Sequence, residues 1–165
     1  MKILVAGNGT LTWNGRTVRC ALGRSGITGA KREGDGATPA GSFALLRILY
    51  RPDRINAPQT RLPVAPMAQG DGWCDDAAHP AYNQPVALPF AASHEKMWRE
   101  DGLYDVVGIL DYNLAPARPG LGSAIFLHVA REGHAPTAGC VALALPDLLA
   151  LIADCAPGDI LEITP

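Results

Sequence analysis

None of the four cysteines, Cys20, Cys74, Cys140 and Cys155, stands in a C-x-x-C pair. That argues against a zinc site and a thioredoxin-like redox centre. No apolar run approaches the ~20 residues needed to cross a bilayer, so no membrane span is expected. There is no basic stripe: Lys and Arg number 14 against 16 Asp and Glu, and the one local cluster, Lys31-Arg32, is followed by Glu33 and Asp35. A nucleic-acid partner is therefore not expected. The first residues, Met1–Ala6, are too short an apolar stretch for a secretory signal and read as a strand. No internal repeat and no linker interrupts the chain. Its 165 residues fit one domain, 1–165, large enough to bury a core without disulfides. We expect a monomer.

Glycine (18) and proline (14) are plentiful, and they bound short apolar runs. That pattern favours strands. Lys2–Ala6 is one. Thr10–Trp13 and Arg16–Leu22 flank Asn14-Gly15, a strong hairpin turn because both residues tolerate positive φ. Gly41–Tyr50, Tyr104–Tyr112, Ser123–Ala130 and Ile160–Ile163 follow the same logic. Arg51–Arg99 is proline-rich with little periodicity and reads as a long irregular excursion; its aromatics argue that it is ordered. One helix is expected over Pro146–Cys155, with Pro at an early position, Asp147 near the positive end and a Leu/Ile face. The fold class expected is mostly β, with one main C-terminal helix and a long irregular excursion.

The chemistry concentrates in Phe126–Leu143, FLHVAREGHAPTAGCVAL. His128 sits in a strand whose neighbours Leu127 and Val129 point to the opposite face. A loop then delivers Thr137-Ala138-Gly139-Cys140. Gly139 lets the backbone turn sharply or approach a ligand closely. This suits a nucleophile and its base facing each other across a hairpin-like return. A thiol near pKa 8.5 needs a base to become the attacking thiolate, and imidazole serves. Backbone N–H groups around Gly139 and Cys140 are candidate oxyanion donors. Thr137 either adds a hydroxyl donor or pins the loop. The second ring nitrogen of His128 needs an acceptor, and a backbone carbonyl is one candidate. Cys20 and Cys155 lie in apolar runs and read as small buried hydrophobes. Asp75, Asp76 and His79 read as a solvated turn rather than a metal site.

Thr137–Leu143 resembles the nucleophile signature of YkuD-type L,D-transpeptidases, and His128 matches its upstream histidine. Thr38-Pro39-Ala40-Gly41-Ser42-Phe43 is similar to that family's Thr-Pro-x-Gly-x-Phe segment. Asp147–Ile163 resembles its closing helix and strand, and Asp71–Glu100 resembles a bacterial subgroup without extra domains. The sequence departs from the pattern in a shorter spacer between His128 and Cys140, in Ala142 where Arg is common, and in Ala138 where His is common.

The resemblance implies a β-sandwich or barrel-like catalytic domain. It implies Cys140 as nucleophile, His128 as base, and Gly139 and Thr137 as supports. It implies peptidoglycan stem peptides as partners, no metal and no organic cofactor, and the periplasm or cell envelope as location. The carbonyl attacked would lie between a diamino acid and D-Ala. An amine would resolve the thioester in a transpeptidase and water in an L,D-carboxypeptidase; a non-catalytic wall-binding domain is the third reading. Arg131 either holds a substrate carboxylate or pairs with Glu132 or Glu100. His94 either lines the cleft or caps a surface turn. Trp73 forms a cleft wall or packs its loop.

Overall fold

The computed structural model describes residues 1–165. In chain order its strands are β1 (Lys2–Ala6), β2 (Thr10–Trp13), β3 (Arg16–Ala21), β4 (Ile27–Thr28), β5 (Thr38–Pro39), β6 (Gly41–Tyr50), β7 (Val64–Pro66), β8 (Asp71–Cys74), β9 (Pro85–Ala87), β10 (His94–Lys96), β11 (Val106–Leu110), β12 (Phe126–Val129), β13 (Val141–Leu143) and β14 (Ile160–Thr164). The helix α1 spans Leu145–Asp154, and a single 3-10 turn covers Glu132–His134.

Eight strands form a ring in the order β11-β12-β13-β3-β2-β1-β14-β6, and a β11–β6 pairing closes it. The fold is mostly β with one helix, as expected. The hairpin at Asn14-Gly15 is present: β2 and β3 pair antiparallel, and both turn residues have positive φ. Ring closure relies on partners distant in sequence, β1 with β14 in parallel and β14 with β6 antiparallel.

Strand alternation sorts the side chains into two cores. On β11, Val106 and Leu110 face the ring's interior with Leu127, Val141 and Leu143. The helix contributes Leu148, Leu151 and Ile152 to that core, which explains its Leu/Ile face. Val107, Ile109, Phe126 and Cys140 point the other way, into a second core with Trp73, Met97 and Tyr104.

That second core exists because residues 51–99 are less irregular than the sequence suggests. β8, β9 and β10 form a three-stranded antiparallel sheet, and β7 pairs with β6. Strands of three or four residues broken by proline show too little alternation to be read from sequence. The small sheet lays Trp73 edge-on against Phe126, with ring centroids 5.0 Å apart. Asn83 fastens it: Oδ1 accepts from Trp73 Nε1 (2.9 Å) and from Ala124 N–H (2.9 Å), while Nδ2 donates to the carbonyls of Tyr112 and Asn113.

Candidate active site

β12 and β13 run parallel, with His128 in register with Ala142 and Leu127 with Val141. The connection is therefore a short crossover, not the hairpin-like return expected from sequence. The consequence for the side chains is the same. In this register Cys140 lies two steps before the partner of His128, and a strand's period of two puts both on one face. That face is the outer side of the ring. Both side chains line one cavity of about 330 Å³.

The nucleophile loop is held by its neighbours. Thr137 N–H donates to Leu22 O (2.8 Å), and Arg24 N–H donates to Thr137 O (2.9 Å). The Thr137 hydroxyl donates to Cys140 O (2.7 Å) and accepts from Gly139 N–H (3.1 Å). Of its two sequence readings, the loop pin is the one these bonds describe. The Gly139 N–H is thereby occupied, whereas the Cys140 N–H has no partner within the protein. Gly139 has φ +146°, and a Cβ there would sit 2.9 Å from Ala37 O. Ala37 precedes β5, and the buried Thr38 side chain accepts from Gly23 N–H (2.8 Å). Ala37 thus lies against the loop that carries Cys140, and Thr38 holds Gly23, which bridges Thr137.

Cys140 Sγ lies between two backbone groups, 3.2 Å from Ala124 O and 3.3 Å from Phe126 N–H. Burial pushes the thiol up to about 12, and the charge of Glu95 adds to that; the Phe126 N–H, Lys31 and Arg99 act in the opposite sense. His128 Nδ1 is 2.8 Å from Val129 O. A bond to that carbonyl requires the proton on Nδ1 and leaves Nε2, which has no protein partner, as the basic nitrogen. Burial pulls the imidazole down to about 4 despite this bond. Burial thus favours the neutral form of both groups at pH 7.

Arg131 also lines the cavity, together with Arg24, Lys31, Glu95 and Arg99. Arg131 forms no ion pair with Glu132 or Glu100; Glu100 pairs with Arg54 instead. The structure does not bring Trp73 or His94 to the cavity. Trp73 is 2% exposed inside the second core. His94 bonds its own turn through Nδ1 to Ala92 O (2.8 Å) and meets the edge of Phe90. On β10 its neighbour Glu95 takes the cavity side, as strand alternation requires. Asp76 Oδ1 and His79 Nδ1 accept backbone N–H groups of their own turn.

Sequence reasoning missed Tyr104. Its ring stands edge-on to His128 at 5.3 Å, and its hydroxyl donates to Glu95 Oε2 at 2.6 Å. No local motif marks it. Its position follows from the loop that leads into β11.

The family model for the L,D-transpeptidase catalytic domain (YkuD) matches residues 1–163. No curated protein matches the chain. Among solved structures it is similar to an L,D-transpeptidase from Mycobacterium smegmatis, at 13% identity and TM-score 0.45, over 99% of this chain and 58% of that one. It is similar to L,D-transpeptidase 1 of Mycobacterium tuberculosis, at 15% identity and TM-score 0.39, over 99% and 61%. It is also similar to the helical cell shape determining protein Pgp2 of Campylobacter jejuni, at 13% identity and TM-score 0.43, over 98% and 46%. The chain therefore spans between about half and three fifths of the length of these proteins. With its family model matched almost from end to end, the chain belongs to the L,D-transpeptidase catalytic domain (YkuD) family.

Proposed function

We propose that the protein is a cysteine acyltransferase of peptidoglycan stem peptides, working in the cell envelope. The observation that supports this best is the shared face of Cys140 and His128 in one cavity, with the free Nε2 of His128 as base. His128 Nε2 takes the proton from Cys140 Sγ. The thiolate attacks the carbonyl between a diamino acid and D-Ala, and Cys140 N–H donates to the oxyanion. Collapse breaks the C–N bond, His128 returns its proton to the leaving D-Ala amine, and a thioester remains. An amine of a second stem attacks it, His128 takes the proton, and Cys140 leaves as thiolate and is reprotonated. Arg131 or Arg24 offers a guanidinium for a substrate carboxylate.

The test is mass spectrometry of tetrapeptide muropeptides incubated with the protein and with Cys140→Ala. A cross-linked dimer made only by the parent supports the transferase. Tripeptide plus D-Ala, again only with the parent, replaces it with hydrolysis at the same site. Identical spectra with both proteins reject both.

A further inference from the structure

Glu95 is a carboxylate without a cation. It forms no ion pair, and its one bond is from the Tyr104 hydroxyl. The nearest candidate partner, Arg99, is turned to Asp101 through two bonds, Nε–Oδ1 at 3.0 Å and Nη2–Oδ2 at 2.5 Å, and rests on the Tyr104 ring at 5.0 Å. Arg51 helps hold that geometry by donating to Arg99 O. Burial raises the Glu95 carboxyl. An uncompensated acid lining a cavity beside a thiol calls for an explanation.

The groups that face it come from several segments. Tyr104 leads into β11, Arg99 lies in the loop after β10, Asp75 follows β8, and Glu33 belongs to the loop before β5. Asp75 and Glu33 add two more carboxyl groups to this side of the cavity, and one buried oxygen of Asp75 has no hydrogen-bond partner. Glu33 accepts from Tyr82 and Ser123 and is not paired with a cation. Cys140 in turn feels Glu95 and Tyr104 on one side and Lys31 and Arg99 on the other. Lys31 is held by Asp35. His128 feels Arg99, Asp101 and Arg131. Arg99, the one cation that acts on Glu95, is turned to Asp101, and Arg24 and Arg131, which line the same cavity, form no ion pair with Glu95, so no cation of the protein neutralises this carboxyl.

We propose that Glu95 is the seat for a primary ammonium group of the ligand, and that filling this seat readies Cys140 to pass its proton to His128. The inference rests on the acyl-transfer reading, since it takes Cys140 as the reacting thiol. The physical link is charge. An anionic Glu95 opposes a thiolate in the same cavity, and an ammonium ion beside it cancels that opposition. The proton moves from Sγ to Nε2, and no electron changes hands. The nucleophile is thereby kept dormant until a cationic ligand arrives.

The experiment is alkylation of the full chain by iodoacetamide, with the label at Cys140 counted by peptide mass spectrometry across pH. In Glu95→Gln the midpoint of the rate profile falls by about one pH unit, a tenfold gain in thiolate at fixed pH. In the parent, methylammonium chloride speeds alkylation relative to sodium chloride at equal ionic strength, and it does not do so in Glu95→Gln. The methylammonium comparison needs no variant, so a folding defect in Glu95→Gln does not blunt it. Absence of acceleration in the parent, equal acceleration in both proteins, or an unchanged midpoint in the variant would each overturn the proposal. Alkylation consumes no peptide. A positive methylammonium response with inert muropeptides would discard the stem-peptide reading alone, and turnover without the response would discard this one alone.

Discussion

At the scale of single residues, the site is built from groups whose resting charge has been removed by burial. His128 shows how this enters stability. Its pKa falls from 6.5 to about 4 on folding. Between those values the unfolded chain binds a proton that the folded one refuses, so stability is lost as pH drops through 6.5 toward 4. The full effect is about 3 kcal/mol. Urea unfolding at about pH 4 and pH 7.5 should show a loss in the parent that shrinks by that order in His128→Gln. Gly139 is the second case. Its role as the turn before the thiol is readable from sequence; its closeness to Ala37 is not, because that contact joins segments about a hundred residues apart. Gly139→Ala must leave φ +146° or push the Ala37 carbonyl away. We expect a cost of about 1–3 kcal/mol in denaturant unfolding and a displaced, slower-alkylating Cys140.

At the scale of elements, the sequence separates strands from helix well where runs are long and poorly where they are short. β6, β11, β12 and α1 carry clear periodicity, and their bounds fall within a few residues of expectation. The three-stranded sheet β10-β8-β9 does not, yet it carries Glu95 and roofs the second core. Sequence leaves His94 between lining the cleft and capping a turn; in β10 it bonds its own turn, and alternation points the adjacent Glu95 inward. The sheet is anchored by Trp73 more than by its own ladder, since its strands have only three or four residues. Trp73→Ala should cost about 3–5 kcal/mol. It also removes one of the two bonds that Asn83 Oδ1 accepts, leaving the one from Ala124 N–H. Hydrogen exchange should show β8 and β10 opening while β1, β2 and β3 keep their protection, because those strands belong to the other core.

At the scale of the whole molecule, the ring determines what the site can be. The interior is packed with mostly aliphatic side chains, among them the buried face of the helix, so chemistry is placed on the outside, under a second small sheet. The two sequence segments similar to the family come close there: Ala37, just before segment 38–43, abuts Gly139, and Thr38 holds Gly23 beside Thr137. Their order along the chain was legible, but their meeting depends on strand order. Strand order in turn depends on pairings such as β1 with β14, which no local pattern encodes.

The closed ring also has a bearing on recovery from heat. Every one of its eight strands has a neighbour on both sides, so the folded protein offers other chains few bare ladders. β14 alone bridges β1 and β6. If it detaches, the hoop springs open and two backbone edges are bared at once, one of them on the ten-residue strand β6. Such edges are templates for neighbouring molecules. Heating a concentrated sample past its transition should therefore give scattering that persists on cooling, whereas a dilute sample regains its signal; reversal independent of concentration would show that the hoop recloses faster than its edges find partners.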